Sequence, residues 1–385
     1  MAERVLITGA RAPAALELAR SFAAAGLEAH MADCSRARAA RASKTPKAVH
    51  RYASPRKDPQ GFARDIAALV QTLDPVLIVP TCEEVFYLAA LARRGVLDQR
   101  LFAPSFEVLA ELHAKGRFID ACRVLGLPVP GTWRATADED LRDMLHVSTH
   151  LVFKPEYSRF GARAVIGPEP EDLTAIKPTP ARAWIIQQRI YGEDASFYAV
   201  AREGKLTAFC AYRSSWRLKG GVAYAFAPLD ETLAAQIRAM AEVLAEQLVI
   251  RGQFACDLVV DEAEKPWLIE CNPRAVSGVH LFPPGPELAN AILGRGEAQV
   301  ESLASAHIGA ALWRYGLPAA LSGKRLDAWK RQRAIGRDVL SAPGDRGPVL
   351  GALIDSLGYG LRAAVTDRTL AEAMTADMEW NGEPL

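Results

Sequence analysis

Two acidic residues stand inside two apolar runs of the stretch FACDLVVDEAEKPWLIECNPR, residues 254–274. The runs Phe254–Asp261 and Pro266–Arg274 are typical of β-strands, and the four residues of the mostly polar loop between them are a common hairpin loop length. An antiparallel pairing places Asp257 opposite Glu270, and the two-residue period of a strand puts Asn272 on the same face as Glu270. The predicted hairpin therefore gathers two carboxylates and an amide.

The register of this hairpin decides whether the acidic side chains meet. We expect three cross-strand pairs, namely Asp261 with Pro266, Val259 with Leu268, and Asp257 with Glu270. Directly opposed acids repel each other and lose solvation when buried, so the pair is unfavourable unless a cation lies between them. A hard divalent cation such as Mg²⁺ takes oxygen ligands and would supply that charge. The alternative is a surface hairpin whose acids remain in water, and spacing alone leaves both interpretations open.

Length and composition favour a globular protein of two or three domains. The chain has 385 residues, half of them hydrophobic, and a formal net charge of +1. This balance argues against nucleic acid or an anionic membrane as the main partner. The segment 36–57 carries eight Lys or Arg and no acid, and we interpret it as a solvated face or loop.

The six cysteines predict a reducing compartment. They show no CxxC spacing and no His partners at metal-ligand distances, so we expect reduced core thiols in a cytoplasmic protein. The register above also places Cys256 opposite Cys271 on the other face of the hairpin. The beginning of the chain lacks the long apolar region of a signal peptide, and no window approaches the roughly 18 apolar residues of a membrane span.

The remaining elements must position the hairpin. Residues 4–10, 11–26 and 27–33 predict a strand, a helix and a strand, and 75–81 predicts a further parallel strand. Only Gly9 matches the glycine pattern of dinucleotide-binding turns, so the opening is weak evidence for a dehydrogenase. Later segments predict helices at 107–133, strands within 150–167 and 183–203, a long helix at 231–248, and a mostly helical tail after Pro286.

Together these segments resemble the ATP-grasp superfamily from residue 1 to about 285. The resemblance implies a mixed α/β and α+β fold with four parts: a Rossmann-like domain at 1–112, ATP-grasp subdomains at 113–190 and 191–285, and a mostly helical extension at 286–385. The sequences DLVVD and LIECNPR carry it most strongly. They imply that Asp257, Glu270 and Asn272 bind Mg²⁺ or Mn²⁺.

The same resemblance implies a nucleotide site for ATP. Its phosphate-binding lysines correspond to Lys154 in VFKP and Lys115 in HAKGRF, and YSRFGA, residues 157–162 with Gly161, corresponds to a loop over the phosphates. The segment QQRIYGED, residues 187–194, resembles the hinge that binds adenine and ribose. The implied contacts of this hinge are Gln187, Gln188, Ile190 and, for the ribose hydroxyls, Glu193.

The resemblance also implies an activity. Arg274 falls where carboxylate–amine ligases have an arginine near the transferred phosphate, so we expect a ligase that joins small-molecule carboxylates to amines through an acyl phosphate. A homodimer is a further expectation.

The segment 212–221 is basic. It fits either the acid-substrate pocket or a basic surface loop, and its charged residues are Arg213, Arg217 and Lys219. The alternatives are a bicarbonate-using ATP-grasp enzyme, a nucleotide-binding regulatory protein and a dehydrogenase.

Overall fold

Apolar runs near the beginning of the chain form a four-stranded parallel sheet in the order β3-β2-β1-β4. The side chains of Val5, Leu6 and Ile7 are fully buried, as expected of a parallel sheet covered on both faces. The structure, a computed structural model, describes residues 2–97, 99–159, 163–217, 223–301, 304–366 and 368–385. The elements of this first part are β1 Arg4–Thr8, α1 Pro13–Ala24, β2 Glu28–Asp33, α2 Arg38–Ala42, β3 Ala48–Arg51, α3 Pro59–Leu73, β4 Leu77–Val79 and α4 Glu84–Arg93.

A second, antiparallel sheet of four strands follows in the order β5-β8-β6-β7. Phe153 of β6 and Ile186 of β8 pair across it and both side chains are buried. Two helices precede this sheet, and the second of them carries Lys115 as its first residue. The elements are α5 Phe106–His113, α6 Lys115–Val124, β5 Thr132–Ala135, α7 Asp138–Arg142, β6 Leu151–Pro155, β7 Val165–Ile166 and β8 Trp184–Gln188.

The largest sheet has seven strands in the order β13-β12-β9-β10-β11-β14-β15. A long helix begins after Asp230, whose side chain accepts a hydrogen bond from the backbone N–H of Leu233 at 3.0 Å. The apolar side of this helix packs on one face of the large sheet, and the acidic residues of the hairpin lie on the other face. The elements are β9 Gly192–Arg202, β10 Lys205–Arg217, β11 Ala223–Pro228, α8 Glu231–Gln247, β12 Gly252–Asp261 and β13 Pro266–Asn272.

The last hundred residues are mostly helical, as predicted, and they also extend the large sheet by two short strands. Their elements are α9 Glu287–Leu293, β14 Ala306–His307, α10 Gly309–Ala311, α11 Leu317–Ser322, α12 Leu326–Ile335, β15 Arg337–Asp338, α13 Gly347–Thr366 and α14 Leu370–Thr375. Among the described residues, no helix is long and apolar enough to cross a membrane. The domain boundaries given above remain predictions.

The hairpin register is as predicted at the acids and differs by one residue near the loop. The observed pairs are Val260 with Pro266, Val259 with Trp267, Leu258 with Leu268, Asp257 with Glu270, and Cys256 with Cys271. The predicted pairs Asp261–Pro266 and Val259–Leu268 are therefore wrong. The carboxylate of Asp261 instead accepts hydrogen bonds from Ala263 N and Lys265 N, each at 2.9 Å, which closes the loop. A bulge at Ile269 then restores the expected pairing.

Candidate active site at the acidic hairpin

The two predicted acids lie opposite each other at the centre of the hairpin. Strand β12 lies between β9 and β13, so Asp257 has Ser196 on one side and Glu270 on the other. Ser196 Oγ donates a hydrogen bond to Asp257 Oδ1 at 2.7 Å, and Asn272 Nδ2 donates to Asp257 Oδ2 at 3.2 Å. The structure therefore brings together the three side chains that the sequence predicted as metal ligands.

A lysine from the other sheet approaches the backbone carbonyl of Ile269 at the bulge. Lys154 lies on β6, and its Nζ approaches the Ile269 carbonyl oxygen at 3.5 Å. The lysine is only 5 % exposed. The pKa of Lys154 is lowered to about 8, because burial and the charge of Lys115 together outweigh the opposing carboxylate of Glu270. A buried ammonium group with one long carbonyl contact is suited to an additional anionic ligand.

Lys115 brings a second ammonium group to the same place. It is the first residue of α6 and is 4 % exposed, unlike most helix lysines, which are solvated. Its Nζ lies 3.4 Å from Glu270 Oε2 and donates to the Ser158 carbonyl oxygen at 3.0 Å. Burial alone would raise the pKa of Glu270, but Lys115 and Lys154 outweigh it and lower that pKa.

The charge distribution at the hairpin fits a hard divalent cation. Loss of solvation and the neighbouring Glu270 raise the pKa of Asp257 to about 6. A cation between the two carboxylates would relieve this repulsion, and oxygen donors suit Mg²⁺. The amide nitrogen of Asn272 points toward Asp257. The amide group would have to rotate by half a turn before its oxygen could bind a metal ion held by Asp257.

Arg274 follows β13 and contacts one of the predicted metal ligands, Asn272. Its Nη2 donates to Asn272 Oδ1 at 3.1 Å, and its Nη1 donates to the Ala275 carbonyl oxygen at 3.3 Å. The guanidinium therefore lies against the amide of Asn272. It has further donors for an anion held at the hairpin.

The predicted adenine contacts lie where the chain passes from β8 to β9. Gln187 is buried, and its Nε2 donates to Thr132 Oγ1 at 3.1 Å. Gln188 has an exposed side chain, and its backbone N–H donates to the Gly131 carbonyl oxygen at 2.8 Å. Ile190 is half-buried in the connection between the two strands. These positions fit the predicted hinge, and their nucleotide contacts remain predictions.

The predicted ribose residue, Glu193, lies at the exposed end of β9. Its carboxylate forms an ion pair with Arg213 at 2.7 Å, and both side chains are more than 40 % exposed. Side chains alternate along a strand, so Glu193 points to the same side as Ala195, which packs under α8. Glu193 can therefore contact the ribose only if the nucleotide extends past the end of β9.

Sequence reasoning missed two residues on the acidic face of β9. Asp194 and Ser196 share the face of Asp257, and Asp194 forms an ion pair with Arg217 at 3.2 Å. The two-residue period, applied to the strand that pairs with β12, would have found both. Arg217 was predicted within a pocket or surface segment. The positive charge of Arg217 partly offsets the raised pKa of Asp257. Arg217 therefore lies near this site.

The segment after β6 is held from outside the two sheets. Arg159, next to Ser158, forms a buried ion pair with Glu83 and donates to Asn381 Oδ1 at 2.8 Å. This fixes the backbone that receives the Lys115 hydrogen bond. Of the predicted phosphate loop, residues 160–162, including Gly161, lie outside the described residues, as does Lys219 with the adjacent glycines.

Comparison with known proteins supports the fold. Residues 113–278 match the family model of the ATP-grasp domain, the family that the motifs of this chain resemble. No curated protein sequence matches the chain.

Solved structures of low sequence identity share this fold. The N5-carboxyaminoimidazole synthetase of Staphylococcus aureus matches with a TM-score of 0.62 at 13 % identity over 78 % of this chain and 79 % of that one. The L-amino acid ligase of Bacillus licheniformis matches with a TM-score of 0.59 at 15 % identity over 75 % of each chain. The biotin carboxylase domain of the Hydrogenobacter thermophilus 2-oxoglutarate carboxylase matches with a TM-score of 0.58 at 15 % identity over 72 % of this chain and 65 % of that one.

Proposed function

We propose that the protein is an ATP-dependent ligase that joins a carboxylic acid to an amine and releases ADP and phosphate. The observation that carries the proposal is the meeting of Asp257 and Glu270 with two buried lysines, Lys115 and Lys154, between two sheets of an ATP-grasp domain. Opposed acids and buried ammonium groups together suit a metal-bound polyphosphate. Lys115 pairs with Glu270, but the pKa of Asp257 is still raised to about 6, and a metal ion between the two carboxylates would relieve this repulsion.

Each residue of the site has a role in this proposal. Asp257, Glu270 and Asn272 would hold Mg²⁺ or Mn²⁺, which offsets the charge of the phosphate oxygens when bound. Lys154 and Lys115 orient the phosphates, and the backbone of the hinge contacts the base. Arg274 donates to the phosphoryl group in transfer. The nucleotide contacts proposed for the hinge are Gln187, Gln188, Ile190 and Glu193.

The proposed reaction needs no covalent protein nucleophile. A carboxylate oxygen of the acid attacks the γ-phosphorus of ATP, the bond to the bridging oxygen breaks, and ADP leaves. The amine then attacks the acyl carbon, phosphate leaves with the former carboxylate oxygen, and the amine proton passes to water. The protein contributes position and charge, which are the main terms in phosphoryl transfer.

An isotope experiment tests the proposal. ADP release is first screened across carboxylic acids with and without amines, and the acid of the active pair is then labelled with oxygen-18. We expect the label in the released phosphate, because the carboxylate oxygen becomes the bridge to phosphorus. Unlabelled phosphate from an active pair would exclude the acyl phosphate. Glu270→Gln should lower turnover by about 100-fold or more, and full activity in that variant would remove the metal assignment.

Bicarbonate is the second candidate acid. The structure of the 2-oxoglutarate carboxylase domain that resembles this chain was solved with MgADP and bicarbonate. ADP release that requires bicarbonate and no organic acid would favour this alternative. ADP release that requires an organic acid in bicarbonate-free buffer would exclude it.

A further inference from the structure

The helix α13 exposes a continuous apolar stripe. Its members are 42–85 % exposed and recur every three or four residues, so they share one face of the helix. They are Leu350, Leu353, Ile354, Leu357, Leu361 and Val365. Together they expose on the order of 650 Å² of apolar surface, above the few hundred Å² usual for a monomer and near the roughly 800 Å² that each partner contributes to a standard interface.

The opposite face of α13 already packs against the rest of the chain. Gly351 lies so close to α2 that a Cβ there would come within 2.4 Å of the Arg38 carbonyl oxygen. Arg38 Nη1 also donates to Asp355 Oδ1 at 3.1 Å, and Arg362 forms an ion pair with Asp377 at 3.6 Å. The stripe is therefore the unpartnered side of a helix that is anchored on its other side.

The exposed side of α13 carries no charged residue. The helix has two charged side chains, Asp355 and Arg362, and both are half-buried and paired internally. A helix that lies on a membrane surface normally presents Lys or Arg beside its apolar face. This one does not, so its composition favours a protein surface that is itself apolar and uncharged.

The order of residues along the stripe identifies that surface. Leu350 and Val365 are equally far from the midpoint between Leu357 and Gly358, and so are Ile354 and Leu361. An antiparallel pair of helices about this midpoint matches these two apolar pairs, and it places Leu353 opposite Arg362 and Leu357 beside Gly358, so most of the stripe meets apolar surface of a second copy.

We propose that α13 forms a homodimer interface in which two copies of this helix pack antiparallel, with the two-fold axis near Leu357 and Gly358. Leu350 then packs on Val365 of the partner subunit, and Ile354 on Leu361 of the partner subunit. The occupant of the stripe is a second copy of this chain.

Sedimentation equilibrium of the full chain tests the interface. Wild-type protein should be dimeric at micromolar concentration, and Leu357→Glu should weaken the dimer by about 100-fold or more, because each subunit would bury a charge where it now buries a leucine. Val124→Glu is the matched control, since Val124 is 86 % exposed on α6, outside the stripe. Leu357 is exposed in one chain, so Leu357→Glu and wild type should unfold at the same temperature when both are diluted until they are monomeric.

Cysteine cross-linking tests the orientation. Leu357→Cys should form an interchain disulfide on mild oxidation, whereas Leu350→Cys should not, because its copies lie about 22 Å apart in an antiparallel pair. Equal cross-linking at both positions would exclude the antiparallel arrangement. A monomeric wild type, an unweakened Leu357→Glu dimer, or binding of monomers to phosphatidylcholine vesicles that Leu357→Glu abolishes would overturn the proposal.

Discussion

Arg159 and Glu83 form a buried bidentate ion pair that joins the segment after β6 to the loop before α4. Trp380 completes the junction, because its backbone N–H donates to Glu83 Oε2 at 3.1 Å and its carbonyl accepts from Arg159 at 2.7 Å. The indole of Trp380 stacks on Phe86 with ring centroids 4.7 Å apart. Three segments that are distant in sequence thus meet at one charged pair.

We expect Glu83→Gln to lower the free energy of unfolding by about 3–5 kcal/mol, because the buried guanidinium of Arg159 loses its bidentate counter-charge and keeps the more distant Glu379 at 3.7 Å. Urea unfolding followed by circular dichroism measures this change. Glu242→Gln, at an exposed pair with Arg238 on α8, is the control and should cost about 0–1 kcal/mol. A similar small loss in both variants would show that the Arg159 pair contributes little.

The same pair predicts a pH dependence. Burial raises the pKa of Glu83, but Arg159 outweighs it and holds this pKa at about 2, below the ordinary 4.5. A carboxyl with a depressed pKa contributes stability above its unfolded pKa and loses it as pH falls toward the folded value. The stability difference between wild type and Glu83→Gln should therefore be constant near neutral pH and shrink from about pH 4.5 to pH 2. A constant difference over that range would contradict the pairing.

Asp257→Asn should separate stability from ligand binding. Without a cation, the substitution removes the repulsion with Glu270, so the free protein should gain up to about 2 kcal/mol or stay unchanged. The rise in unfolding temperature that Mg²⁺ and ATP give the wild type should disappear. Differential scanning calorimetry measures both effects. Glu262→Gln, in the exposed loop of the same hairpin, should keep the ligand-induced rise, and a retained rise in Asp257→Asn would remove Asp257 from the metal site.

Lys154→Met tests the buried lysine in the same way. Methionine fills a similar volume without a charge to desolvate, so we expect the free protein to remain as stable as wild type. ATP affinity, measured by isothermal titration calorimetry, should fall by about 100-fold because a charged phosphate contact is lost. Lys177→Met, at an exposed lysine paired with Asp138, is the control. Unchanged ATP affinity in Lys154→Met would place the nucleotide elsewhere.

The sequence predicted the structure best where the two-residue repeat of a β-strand decides which side chains meet. The opposition of Asp257 to Glu270 follows from hairpin pairing, and it is present. The bulge at Ile269 was not predictable, because nothing in the local residue types distinguishes a strand with one extra residue from a regular one. The contact between Lys154 and the hairpin depends on how two sheets pack, which is a tertiary property. Trp380 and Glu83 are 297 residues apart in the sequence, and no local pattern indicates such a contact.

Arg274→Ala should affect turnover more than nucleotide binding. The guanidinium contacts Asn272 at the candidate metal site, and we place its charge near the phosphoryl group in transfer, away from the adenine. We expect kcat for the active acid and amine pair to fall by about 100-fold, while Kd for ATP changes by less than about five-fold.

Arg274→Lys should recover only part of the rate, because an ammonium group lacks the paired donors of guanidinium. Arg213→Ala, at the exposed pair with Glu193, tests whether any nearby arginine has this effect. Equal losses of kcat and ATP affinity in Arg274→Ala would place Arg274 on the nucleotide before transfer, and unchanged turnover would remove its assigned role.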